Sequence, residues 1–380
     1  MGIPQSLRLK RVQDWLEKNR LDGLLVTHLP NLRYLCGFTG SAGALAVLGG
    51  EAVLFTDSRY TIQAHEEAIG VGVRVVAGDV LTGAAKWVRK AKARDIGFES
   101  ARLTVAGREA LGRSAGKRVR WRPVRGCVEA FRAVKDAWEI QAMREAADLG
   151  SAVLADVLPL IKPGVREVQL AAEMEYRMRR RGADGVAFET IVAFGERTAL
   201  PHGRPTTRAL RRNELVLLDW GAILRGYCCD LTRTLYLGRA PTQVRRWYQA
   251  VLNAQMAARE VLRPGISAGR VDAATREILE RRGLARYFTH STGHGLGLEV
   301  HEAPRLGRGQ KEKIQAGMVV TLEPGIYVEN VGGIRIEDDV TLTPGGIEVL
   351  TSASREFLQL LMKAKKTTKK AAPSASVDLA

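Results

Sequence analysis

At 380 residues with 46% hydrophobic side chains, the chain is long enough for two domains that each bury a core, and too apolar to be disordered throughout. Its four cysteines are scattered (Cys36, Cys127) or adjacent (Cys228, Cys229), which excludes a disulfide-stapled scaffold and suits a reducing compartment. A net charge of +17 raises nucleic acid as a partner, so the placement of that charge has to be followed along the chain.

The first residues have no apolar signal core, and no apolar run reaches a bilayer span, so a cytoplasmic, untargeted protein is expected. An amphipathic helix is predicted from Leu7 to Lys18, then an apolar run at Leu24 to Val26 and strands at Gly43 to Leu48 and Ala52 to Thr56. This alternation reads as an α/β domain over residues 1–130. A second helix is predicted from Asp136, where Trp138, Met143, Leu149, Val153 and Val157 recur near helical spacing, so the boundary falls within Gly126 to Lys135. Residues 131–360 form the second unit, and 361–380 a basic tail read as disordered. Lys363, Lys365, Lys366, Lys369 and Lys370 sit in that tail, and other excess charge lies on helix surfaces such as Arg177, Arg179, Arg180 and Arg181. Neither place has the interleaved aromatics that stack bases, which argues against a nucleic-acid site.

The second unit repeats itself. Lys162-Pro163-Gly164 and a helix closing at Arg181-Gly182 are echoed by Arg263-Pro264-Gly265 and a helix closing at Arg282-Gly283. Phe188 matches Phe288, His202 matches His301 at an offset of 99, and the strand Glu214 to Asp219 matches Met318 to Glu323. The strand carrying Asp230 matches the one carrying Glu337 at an offset of 107. Each half reads as helix, helix, β-hairpin, and two such halves facing each other make one cleft.

Asp219 and Glu323 end buried strands, while Asp230 and Glu337 sit on the strands that follow. In Ile334-Arg335-Ile336-Glu337, alternation sends the isoleucines to one face and the polar pair to the other. Four converging carboxylates repel one another unless cations compensate them, and two divalent ions would do so. Only six histidines exist, and His202, His290, His294 and His301 all fall in the cleft region; His294, between Gly293 and Gly295, is the expected imidazole ligand, with the glycines letting the backbone approach the metals. An oxygen-rich set with one imidazole fits Mn²⁺ first, and also Co²⁺, Fe²⁺ or Zn²⁺. Taken singly, the acids have plainer readings: Asp219 and Glu323 as turn formers, Asp230 paired with Arg233, and Glu337 paired with Arg335.

From about residue 7 to residue 360 the sequence resembles the creatinase/prolidase family of metallopeptidases. The matching motifs are Phe188-Glu189-Thr190-Ile191-Val192, Pro201-His202-Gly203, Asp219-Trp220-Gly221, Tyr227 to Asp230 running into Thr232-Arg233-Thr234, His290 to His301, Glu323-Pro324-Gly325 and Arg335-Ile336-Glu337. Asn31-Leu32-Arg33-Tyr34-Leu35, Gly37-Phe38-Thr39-Gly40 and Thr56-Asp57-Ser58-Arg59-Tyr60 resemble the N-terminal domain of its proline-specific members, which methionine aminopeptidases lack. The resemblance implies an α/β (α+β) protein: a creatinase-like N-terminal domain followed by a pita-bread domain of two pseudo-symmetric ααβ halves. It implies two divalent metals on Asp219, Asp230, His294, Glu323 and Glu337, all five positions being filled, unlike in the metal-free creatinases. It further implies His202, His290 and His301 as non-ligand site histidines, Arg305 as a holder of the substrate carboxylate, and a homodimer.

The activity so implied is cleavage of the bond before proline, with Glu323 moving a proton and His202 and His301 stabilising the reacting carbonyl. An Xaa-Pro aminopeptidase, cutting the first residue from peptides with proline second, is the leading expectation. An Xaa-Pro dipeptidase shares every ligand, and Arg305 is its one positive cue. A non-catalytic binding protein on the same fold is the reading from another class.

Overall fold

The computed structural model describes residues 5–361, so the lysine-rich tail lies outside the described residues. In the N-terminal region the strands are β1 (Gly23–Val26), β2 (Ala44–Leu48), β3 (Glu51–Thr56), β4 (Gly72–Val75), β5 (Asp95–Glu99) and β6 (Arg120–Val124), forming one mixed sheet in the order β4-β3-β2-β1-β5-β6. The helices are α1 (Gln5–Lys18), α2 (Leu29–Cys36), α3 (Thr61–Glu67), α4 (Val80–Lys90), α5 (Val105–Ala115) and α6 (Cys127–Ala133). Alternation along β1 assigns the two faces: Leu24 and Val26 pack with Leu9, Val12 and Leu16 of α1, while Leu25 packs with Ala84 and Val88 of α4 and Leu111 of α5.

Asp136 starts the next helix, α7 (Ala137–Val157), through a capping box in which its carboxylate accepts from the Glu139 N–H and Glu139 returns the contact. There follow α8 (Glu167–Arg180), β7 (Gly185–Val186), β8 (Ile191–Phe194), β9 (Glu214–Trp220), β10 (Ala222–Leu224), β11 (Tyr227–Cys228) and β12 (Leu231–Leu237). The second half supplies α9 (Thr242–Val261), α10 (Ala268–Arg281), β13 (Gly293–Gly295), β14 (Glu302–Leu306), β15 (Val319–Leu322), β16 (Gly325–Val328), β17 (Gly332–Arg335), β18 (Asp338–Thr343), β19 (Gly346–Val349) and β20 (Gln359–Leu360). Two larger sheets result, ordered β20-β12-β9-β8 and β14-β13-β15-β18-β19, beside two small ones, β11-β10-β7 and β16-β17. The triplets β12-β9-β8 and β18-β15-β13 are equivalent, and α8 and α10, both 14 residues long, close where the repeat placed them. Val216, Leu218 and Trp220 pack into a core with α7 and α8, and Val320 and Leu322 into one with α9 and α10.

The expectation of one plain hairpin per half is corrected. Between β9 and β12 the chain inserts β10 and β11, and between β15 and β18 it inserts β16 and β17. Asp230 and Glu337 therefore do not lie on strands; each is the residue just before one, β12 and β18 respectively. The reason lies in their backbone N–H groups, which serve the opposite half: that of Asp230 donates to Asp339 Oδ2 at 3.0 Å, and that of Glu337 to the Thr232 carbonyl at 3.1 Å.

Candidate metal centre

All five expected ligands open into one cavity of about 620 Å³, together with His202, His290, His301 and Arg305. Asp219 comes from β9, His294 from the middle of β13, and Glu323 from the residue after β15. Ile334 and Ile336 are buried in one apolar cluster while Arg335 and Glu337 face the cavity, as the alternation predicted. Gly293 and Gly295 have a role in strand packing that the sequence did not indicate. A Cβ at Gly293 would lie 1.9 Å from the Thr321 carbonyl oxygen, and one at Gly295 would lie 2.1 Å from that of Ala303. The glycines thus let β13 press against its two neighbouring strands, which fixes His294.

Ligand-capable atoms of Asp230, His294 and Glu337 all lie within 4.8 Å of one another. His294 Nδ1 faces the Gly295 carbonyl at 3.0 Å, so a proton there leaves Nε2 unprotonated, 3.7 Å from Asp230 Oδ2 and 3.6 Å from Glu323 Oε1. Thr232 Oγ1 donates to Glu337 Oε2 at 2.6 Å, and Arg335 Nη2 to Asp219 Oδ2 at 2.5 Å. Buried Oδ1 atoms of both Asp219 and Asp230 have no hydrogen-bond partner.

Electrostatics sharpen the picture. Burial pushes Asp230 well above the usual carboxylate range, and the charges of Glu337, Asp219, Asp339 and Glu323 add to it. Glu337 is raised well above that range by burial and by Glu323 and Asp219. Glu323 rises to about 8, chiefly through burial. Burial also raises Asp219, against the opposing pull of Arg335. Desolvation lowers His294 to about 4 and keeps it neutral, the form that can ligate. Carboxylates this crowded, with two orphaned oxygens and a neutral imidazole, fit divalent cations: metal charge supplies the compensation that the side chains lack.

The plainer pairings of the acids are not those formed. Arg233 donates to Asp338 at 2.7 Å instead of Asp230, and Arg335 serves Asp219 instead of Glu337. Sequence reasoning missed this role of Arg335, which also donates to the hydroxyls of Tyr327 at 2.6 Å and Thr232 at 2.9 Å. Its shared face with Glu337 was the available signal.

On the cavity wall, the rings of His301 and His294 lie 4.4 Å apart, and burial and nearby His202 lower the pKa of His301. The Nε2 of His290 meets the Tyr327 hydroxyl at 2.8 Å, and its ring packs edge-on against Phe288 at 5.0 Å. Arg305 is solvent-exposed, without an ion pair among the described residues. Also unforeseen was the support beneath His301: Glu302 Oε2 is held by Lys135 at 3.1 Å, and Glu299 Oε2 by Arg132 at 2.9 Å and His28 at 2.9 Å. All four cysteines are free and buried, and burial pushes the Cys228 thiol up to about 12. No described helix is long and apolar enough to cross a membrane.

Comparison with known proteins bears on the same residues. The model of metallopeptidase family M24 matches residues 141–344, and that of the creatinase/prolidase N-terminal domain matches residues 8–134. An uncharacterized peptidase of Bacillus subtilis is 38% identical over 93% of this chain and 100% of its own length. Among solved structures, an Xaa-Pro dipeptidase from Bacillus anthracis superposes with a TM-score of 0.91 at 36% identity, covering 94% of this chain and all of that one. An X-Pro aminopeptidase from Thermotoga maritima superposes with a TM-score of 0.84 at 34% identity, covering 91% of this chain and all of that one.

Proposed function

The chain belongs to metallopeptidase family M24, and on that premise we propose that it hydrolyses the Xaa-Pro bond at the N-terminus of peptides. The observation that carries this reading is the convergence of four carboxylates and one neutral imidazole, from two equivalent half-domains, in a single cavity. Asp219, Asp230, His294, Glu323 and Glu337 are assigned as holders of two divalent ions, with Mn²⁺ the first choice for an oxygen-rich set and Co²⁺, Fe²⁺ or Zn²⁺ compatible with it. Bound there, the ions supply Lewis acidity to the scissile carbonyl and to an attacking water.

The remaining work falls to the chain's own groups. Glu323 lies between His294 and His290, with carboxylate oxygens at 3.6 and 3.8 Å from their rings, and is assigned to carry the proton toward the leaving nitrogen. His202 and His301 donate to the carbonyl oxygen as its charge grows. Proline offers no N–H to grip, so its ring needs a shaped apolar wall, and His290 backed by Phe288 and Tyr327 provides one. Residues 131–360 are taken as the catalytic unit and residues 1–130 as a separate N-terminal domain.

The aminopeptidase is the preferred form, because a second chamber that shares His290, Ser291 and Arg305 with the cavity lining offers space beside it for residues beyond proline. The dipeptidase is the second reading, favoured by the unpaired Arg305 as a carboxylate anchor and by the dipeptidase names among the relatives. A purely binding protein loses its ground, since no expected ligand is missing and the family is a peptidase family. Hydrolysis of an Xaa-Pro dipeptide and of its pentapeptide extension, by stripped protein reloaded with Mn²⁺, tests the reading. Release of the first residue from both is expected; cleavage of the dipeptide alone selects the second reading, and cleavage of neither with any of the four metals sinks both.

A further inference from the structure

Beside the catalytic cavity lies a second chamber of about 390 Å³, which shares His290, Ser291 and Arg305 with it and adds Arg276, Arg308 and Gln310. Its described lining holds three arginines and no carboxylate. Those arginines do different things. Arg276 is consumed by the wall: it pairs with Asp272 at 2.7 Å and donates to the carbonyl oxygens of Phe288 at 3.2 Å and His290 at 2.6 Å. Arg305 and Arg308 are exposed, and neither has an ion pair among the described residues. Gly307 lies between them in the chain, and a Cβ there would come 3.4 Å from both Arg305 Nε and Ser291 Cβ, so the Arg305 side chain runs alongside this stretch of backbone at ordinary contact distance.

Two unpaired guanidinium groups in a recess without acids form an acceptor for a carboxylate, which they can bind through charge-assisted and bidentate contacts. A peptide in the main cavity has one cationic end and one anionic end. The chamber repels its ammonium group and attracts carboxylates, so charge alone orients the C-terminal portion toward Arg308. Resting on the peptidase reading above, we infer that the chamber is a selectivity subsite for peptides bearing a carboxylate just beyond proline, with Arg308 as the cation that makes the selection. The carboxylate has two possible sources, an acidic side chain after proline or the free C-terminus of a short peptide.

Product peptides test this without requiring turnover. Calorimetric titration of the metal-loaded protein would compare Pro-Glu-amide with Pro-Gln-amide for the side-chain source, and Pro-Ala with Pro-Ala-amide for the terminal source. The carboxylate member of at least one pair should bind about tenfold more tightly, with a preference that weakens as salt is raised. R308Q should bring that ratio close to one, and R308K should retain part of it. An unchanged ratio in R308Q, or no preference in either pair with the native protein, overturns the inference. Cleavage of Ala-Pro-Gln-amide, followed in parallel, reports on the peptidase reading separately: its failure alongside an intact binding preference would remove the reaction and leave the subsite.

Discussion

The two halves around the cleft share a scaffold but contribute different chemistry. In the first, β8 pairs with β9 so that Phe194 faces Val216; in the second, Gly295 of β13 faces Val320 of β15. Ala193 thus occupies the position that His294 occupies in the second half, and the imidazole has no counterpart. By the offset that relates Asp230 to Glu337, Cys228 stands where the second half has Arg335, so the buried guanidinium is also one-sided. What stays symmetric is the exchange across the seam. Thr232 holds the side chain of Glu337, and its equivalent Asp339 accepts from the backbone of Asp230. Neither half owns a site; each positions the other's carboxylate.

The largest expected effect comes from breaking one acid in each half. D230N and E337Q should each lower kcat at saturating metal by at least about a hundredfold, since ligand loss exceeds the cost of losing an outer hydrogen-bond partner. If one variant kept near-native turnover, the seam would not be the reaction site. Removing the one-sided cation is next. R335M should weaken metal binding about a hundredfold and lower stability by about 3 kcal/mol, because Asp219 is left buried and unpaired. T232V, which removes the hydroxyl that bridges Arg335 and Glu337 but no charge, should cost metal affinity only about tenfold; equal losses in R335M and T232V would contradict this asymmetry between the halves.

Smaller and more diagnostic is the pH dependence of the metal-free protein. Folding raises Glu323 from 4.5 to about 8, and raises Asp230 and Glu337 as well. An acid whose folded pKa is raised binds more protons folded than unfolded, so its stabilising contribution is complete below pH 4.5 and lost as pH climbs through 8. The Tm of stripped protein should therefore fall across that window, and Mn²⁺ should raise it most at the alkaline end. A Tm rising with pH in the stripped protein would mean the carboxylates are not crowded as described. At the low end, the Arg204–Glu189 pair at the cavity mouth is 82% and 57% exposed, so R204A should change stability by less than about 1 kcal/mol.

Much of this was legible in the sequence because the duplication carried it. The paired Pro-Gly turns, the equal helices and the alternation through Ile334 and Ile336 are local patterns, and the structure reproduces them. The inserted hairpins were not legible: β11 has two residues and β10 three, too short to establish a period of two. Their omission put Asp230 and Glu337 on strands that the structure breaks. The partner of Arg335 was misread for another reason. Glu337 is two residues away and Asp219 is 116, and only the facing of the halves brings Asp219 to the guanidinium. The same holds for Arg132 and Lys135, whose carboxylate partners Glu299 and Glu302 flank His301, more than 160 residues further along.

The central claim, that two half-domains build one two-metal centre at their seam, is tested most directly by counting metal. Protein exposed to excess Mn²⁺ and then dialysed should hold two ions per chain by elemental analysis. A value of one or none in protein that is folded and monodisperse would contradict it.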